Sequence, residues 1–159
     1  MGVHDFSAYE EYLAEIEAAG VDISKISAKD RAIVKALMAD ESFQVEATRI
    51  FNEAVASGRE TEMIRVYQVG ESEYYMTTVQ GQPCSNGSST CMNLPDPIPY
   101  QGFKHAFDWH PHPGGTSLPS SSDYISSARY RVPGAIWYSC GSSYRTTYYQ
   151  GQCKVADQC

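Results

Sequence analysis

The chain has few basic residues. Twelve lysines and arginines stand against nineteen aspartates and glutamates, a formal net charge of −7. The twelve are scattered, whereas attraction to nucleic-acid phosphates or anionic lipid rests on clustered Lys and Arg. Neither nucleic acid nor a membrane surface is therefore expected as a partner. No apolar run approaches the length of a transmembrane helix. The start, MGVHDFSAYEEYL, lacks the basic and apolar regions of a signal peptide, so no export signal is expected within this chain. Met1-Gly2 fits a domain cut from a longer protein. There is no Cys-x-x-Cys pair, which argues against a cysteine zinc site, and neither an internal repeat nor a phosphate-binding glycine loop occurs. What remains is 159 residues, 42% hydrophobic and 12% aromatic, enough for one domain with a genuine core.

The most informative segment is FDWHPHPGGTSLPSSSDYI. His110 and His112 each precede a proline, which biases both toward extended backbone. In a strand, side chains repeat every two residues, so the two imidazoles should face the same side. With Asp123 they make up two neutral imidazoles and one carboxylate, the ligand set of a catalytic zinc site with an open fourth position.

The spacing resembles that of the JAMM/JAB (MPN-plus) metalloproteases: His-x-His-Pro, about seven residues, then Ser-x-x-Asp, with a glutamate on an upstream strand. Here the run is His110-Pro111-His112-Pro113, six residues, then Ser120 to Asp123, and the glutamate comes from GRETEMIRVY as Glu60 or Glu62. The likeness covers roughly residues 59–150 and is best for the JAB-like domains at the C-termini of bacterial polymorphic toxins. Pro111 replaces the usual Ser or Thr, and the spacer is one residue short. The resemblance implies Zn2+ held by His110, His112 and Asp123. Glu60 is then the catalytic base, with Glu62 as the alternative, and Ser120 the oxyanion donor. It further implies a zinc peptidase or isopeptidase, the effector part of a larger bacterial protein that is secreted or delivered to a target cell. Its partners would be a protein or peptide substrate and an immunity protein.

Plainer readings stand beside these. Ser120-x-x-Asp123 is also a helix capping box, a His-x-His in a Pro/Gly loop is often a surface turn, and a glutamate at a strand start is usually solvated. A metal-dependent nuclease toxin using Asp108-Trp109-His110 and a non-catalytic JAB-like binding module remain as alternatives.

The pattern along the chain predicts an α+β fold, with helices packed on a mostly antiparallel, JAB/MPN-like sheet. Residues 1–58 read as a helical segment of the same domain that 59–159 completes as the metal-binding part. Ser7 to Glu10 caps a helix ending near Gly20, and Ser27 to Asp30 starts a second with Ile33, Val34, Leu37 and Met38 inward. A third starts near Ser42, with Val45, Ile50, Phe51 and Ala54 inward, and stops at Gly58. Thereafter the period changes. MIRVYQV and EYYMTTV form a hairpin through Gly70, and GAIWYSC and YRTTYYQGQ form a second. In FKHAFDWH, alternation puts Phe103, His105, Phe107 and Trp109 on one face, making His105 a core or boundary histidine rather than a ligand. The twelve tyrosines suit either ordinary strands or a surface that grips a peptide or sugar. Residues 80–102 form a long Pro/Gly/Ser-rich stretch before the histidine strand, which either borders a substrate groove or is a surface insertion. Five cysteines give Cys84 with Cys91 and Cys153 with Cys159 as disulfide candidates, leaving Cys140 over. Free thiols are the alternative.

Overall fold

A computed structural model describes residues 6–20, 23, 28–59, 62–70, 73–83, 92–93, 102–113, 132–140, 143–150 and 153–154. Three helices come first: α1 (Phe6–Ala18), α2 (Ala28–Met38) and α3 (Glu41–Ser57). Helix α1 already contains Ser7, so that residue is not its N-cap as expected. The ends of α3 show why it begins and stops where it does. Asp40 has extended backbone, and its carboxylate accepts from the Phe43 N–H at 3.1 Å. At the other end Gly58 takes a left-handed φ of 70° and donates its N–H to the Ala54 carbonyl. Phe43, Ala47, Ile50, Phe51 and Ala54 form the buried stripe at helical spacing. Val45 is 64% exposed, which corrects its expected inward position. It lies off the stripe that Phe43 and Ala47 set.

The strands follow: β1 (Glu62–Val69), β2 (Glu73–Gln80), β3 (Gln82–Pro83), β4 (Met92–Asn93), β5 (Phe103–His112), β6 (Pro133–Cys140), β7 (Ser143–Gln150) and β8 (Cys153–Lys154). Six of them form one sheet in the order β2-β1-β5-β6-β7-β8, while β3 and β4 pair separately. Both expected hairpins are present, β1 with β2 and β6 with β7. Every neighbouring pair in the sheet is antiparallel except β5 and β6, which run parallel. The protein is thus α+β with a mixed, mostly antiparallel sheet.

All three helices cover one face of this sheet. Phe43 meets Phe107 edge-on, Phe51 meets Trp137, and Tyr9 meets Tyr148, with ring centroids 6.3, 6.3 and 5.2 Å apart. Trp109 and Trp137 cross at 87° in the middle of the layer. Helices and sheet therefore share one core, in which Val34, Leu37, Ile64 and Val66 are fully buried. Polar ties add to it. The Tyr74 hydroxyl donates to Asp40, holding that carboxyl below its ordinary range. Burial, with this same bond, pushes the Tyr74 phenol up to about 12.

Strand β5 does not alternate simply. Val66 pairs with Phe107, but Tyr67 pairs with His105, so Ala106 is an extra residue. Such a bulge reverses the side-chain phase of the strand beyond it. Phe107 and Trp109 keep to the helix face, whereas His105 turns to the opposite face beside Tyr67 and Asp108. This corrects the expected grouping of His105 with Phe107 and Trp109.

Candidate functional site

The face away from the helices carries the polar chemistry. Asp108, His110 and His112 project from it at the two-residue period of β5, as the His-Pro-His-Pro run requires. Pro111 occupies the alternate, helix-facing position and is buried. The two Nε2 atoms are 3.1 Å apart, with the ring planes at 61°. That separation suits an N–H···N hydrogen bond between neutral rings. It also suits a shared metal, because bonds of about 2.0–2.1 Å at tetrahedral angles put two ligand nitrogens roughly 3.3 Å apart. His110 is buried and His112 half-buried, so the pair spans the change from interior to surface.

Glu62, the alternative base, lies elsewhere. Strand alternation points it with Ile64 and Val66 toward the helices, where Arg49 of α3 pairs with its carboxylate at 3.3 Å. The sheet separates it from the histidines. Glu60, Ser120, Asp123, Cys84, Cys91 and Cys159 lie outside the described residues, as does the side chain of Cys153. Among the described residues no group of three or more His, Cys, Asp or Glu side chains is arranged to hold a metal.

Cys140 is disulfide-bonded, which corrects its reading as the unpaired cysteine. Cys153 is not its partner. Gln150 pairs with both Pro133 and Cys153, while Cys140 lies at the far end of β6, roughly 23 Å along the strand at about 3.3 Å per residue. A disulfide needs Cα atoms within about 7 Å.

Sequence reasoning missed a second constellation on the histidine face. The Arg65 Nε donates to Asp108 Oδ1 at 3.3 Å, and His105 Nε2 approaches the same oxygen at 2.8 Å. All three side chains are largely withdrawn from solvent. Each buried ion costs several kcal/mol in desolvation unless it is paired and hydrogen-bonded, so these three hold one another in place. The signal was an arginine inside the apolar run MIRVYQV and an aspartate inside FKHAFDWH. Two opposite charges in neighbouring interior strands are a reason to pair them. What concealed His105 was the bulge.

No family model matches the chain, and comparison with curated proteins and with solved structures found no match.

Proposed function

We propose that the protein is a metal-dependent hydrolase, a zinc peptidase or isopeptidase, with His110 and His112 as two of its metal ligands. The observation that carries this reading is the pair of Nε2 atoms 3.1 Å apart on one face of β5. Asp123 is the third ligand in this reading. A zinc ion, when bound to such a set, supplies a Lewis acid and a water acidified toward a pKa of about 7. Glu60 accepts a proton at its carboxylate and returns it to the leaving amine, and the Ser120 hydroxyl donates to the oxygen that becomes negative.

The topology supports the assignment of Asp123. Parallel neighbours need a crossover, and residues 114–131, which include Ser120 and Asp123, join the end of β5 to the start of β6. Asp123 follows His112 by eleven residues along this connection, which is within chain reach of the histidine pair.

Asp108 is engaged by Arg65 and His105, and Trp109 faces the helices, so a nuclease built on Asp108 and His110 draws less support. The effector role in a larger bacterial protein, with an immunity protein as partner, belongs to the same proposal and rests on the motif's resemblance alone.

Metal analysis of protein purified without chelator tests the reading. One zinc per chain is expected, with strong loss in His110→Ala, His112→Ala and Asp123→Ala. Glu60→Gln keeps the zinc and loses peptide or isopeptide hydrolysis by about 10²–10⁴-fold, the usual loss on removing general acid–base catalysis. Stoichiometric zinc in Asp123→Ala removes that residue from the ligand set. Absence of bound metal from the wild-type chain, and failure to take up added zinc, reduces it to a non-catalytic binding module.

A further inference from the structure

Cys140 is joined through a disulfide, and two short ladders bear on its partner. The first is the pairing of β3 with β4. Gln82 stands opposite Asn93 and Pro83 opposite Met92. One step further along the two segments come Cys84 and Cys91. Directly opposed residues of an antiparallel pair have Cα atoms about 4.5–5.5 Å apart, inside the roughly 4.4–6.8 Å that a disulfide spans. The ladder favours a bond between these two, which leaves neither for Cys140.

The second ladder is β7 with β8. Cys153 is too far from Cys140 along the sheet, so Cys159 remains. Strand β7 is antiparallel to both β6 and β8, and β8 therefore runs in the direction of β6, toward the end that carries Cys140. Lys154 pairs with Tyr149, and Tyr149 with Gly134. Cys140 lies six residues beyond Gly134, roughly 20 Å at about 3.3 Å each, and two strand spacings add roughly 10 Å sideways. Lys154 and Cys140 are thus about 22 Å apart at Cα. Five extended residues cover roughly 17 Å, and the disulfide itself bridges up to about 7 Å. Cys159 reaches Cys140 by keeping to the course of β8.

We propose that the protein carries two disulfides, Cys84 to Cys91 and Cys140 to Cys159, with Cys153 as its single thiol. The second bond stands beside the candidate site and does not depend on the hydrolase reading. His112, Tyr138 and Arg145 form one row across β5, β6 and β7, and Cys140 follows Tyr138 by two residues on the face of His112. Residue 159 is thereby fastened one step beyond His112, at the half-buried end of the histidine face. Each bond forms by exchange with an external disulfide such as oxidised glutathione. One cysteine thiolate attacks the oxidant and releases a first thiol; its partner thiolate then attacks the mixed disulfide and releases a second. Two cysteine thiols are oxidised, the oxidant is reduced to two thiols, and the two cysteine protons pass to them. This chemistry suits an oxidising compartment rather than the cytosol.

Peptide mapping tests the assignment. The full chain, equilibrated with oxidised and reduced glutathione, is blocked with iodoacetamide and digested with trypsin without reduction. Cleavage after Arg131, Arg145 and Lys154 puts Cys140, Cys153 and Cys159 on separate peptides, 132–145, 146–154 and 155–159, while 66–104 holds both Cys84 and Cys91. Mass spectrometry should find 132–145 linked to 155–159 and 146–154 alkylated. Peptide 66–104 should be unalkylated and lighter by two hydrogens than its reduced form. A link from 132–145 to 66–104, or alkylation of 66–104 or 155–159, overturns the assignment, as does a link between two chains on a non-reducing gel. Melting gives a second readout. Cys140→Ser and Cys159→Ser should each lower Tm by roughly 6–12 °C, as expected for a closed loop of about 20 residues in a domain of this length. The double variant should lose no more than either, and Cys153→Ser should leave Tm unchanged. Unequal shifts in the two single variants, or a further loss in the double one, contradict a bond between Cys140 and Cys159.

Discussion

Replacing Arg65 by methionine should be among the most damaging single changes in the sheet, and its size follows from the surroundings. The Arg65 and Asp108 side chains are only 6% and 12% exposed, with Nε and Oδ1 3.3 Å apart. At an effective dielectric of about 20 their attraction is roughly 5 kcal/mol before desolvation is subtracted. Methionine fills much of the arginine volume, so the main effect is a buried carboxylate left without its cation, typically about 3–5 kcal/mol. His105 remains 2.8 Å from the same oxygen, which places the expected loss at the lower end, about 3 kcal/mol. For a domain of this length that lowers Tm by roughly 6–12 °C. Asp108→Asn added to Arg65→Met removes the stranded charge and leaves an amide oxygen that His105 can still reach. The double variant should therefore be more stable than Arg65→Met alone, a coupling that independent sites do not show. Arg49→Met is the control, because Arg49 is 41% exposed although it contacts Glu46, Glu53 and Glu62, and exposed pairs contribute only about 0–1 kcal/mol each. Calorimetry or urea titration of the four proteins measures all of this. A loss in Arg65→Met no larger than in Arg49→Met, or a double variant less stable than Arg65→Met, would refute the claim that this is a mutually compensating buried cluster.

Two further changes probe the frame around the site. Asp40→Ala removes the α3 cap and the acceptor of the Tyr74 hydroxyl, and should cost about 1–2 kcal/mol at pH 7. Because the folded-state pKa of Asp40 is lowered, its contribution is present above the unfolded value of about 3.9 and is lost as pH falls through the folded one. The difference between wild type and variant should thus shrink below about pH 4 in urea titrations, and a difference that stays constant down to pH 2 contradicts the assignment. Gly134→Ala drives a methyl group into the Tyr149 ring, whose Cε2 lies 2.8 Å from the position of the new atom. It should destabilise by about 1–3 kcal/mol, as overpacking does, and Tyr149→Leu in the same chain should recover part of that loss in denaturant melts.

By itself the sequence determined the order of elements and much of the chemistry. Helical spacing in residues 28–57, the left-handed stop at Gly58 and two hairpins are local properties, and they appear where local rules put them. The His-Pro-His-Pro run is equally local: two prolines extend the backbone, and the strand period turns both imidazoles to one side. What the residues could not show alone depended on which strands became neighbours. The bulge at Ala106 exists only in the pairing of β5 with β1, and it moved His105 to the face of Asp108. The partnership of Arg65 with Asp108 spans forty-three residues of chain, a separation at which no periodicity connects them. Glu62 could be placed near a strand start from sequence, but which face it took was decided by α3 packing against the sheet and presenting Arg49. The same holds for the row His112, Tyr138, Arg145, which joins three strands through one parallel and one antiparallel register. Period and capping are written in neighbouring residues, whereas register and face arise only when distant segments bury their apolar sides together.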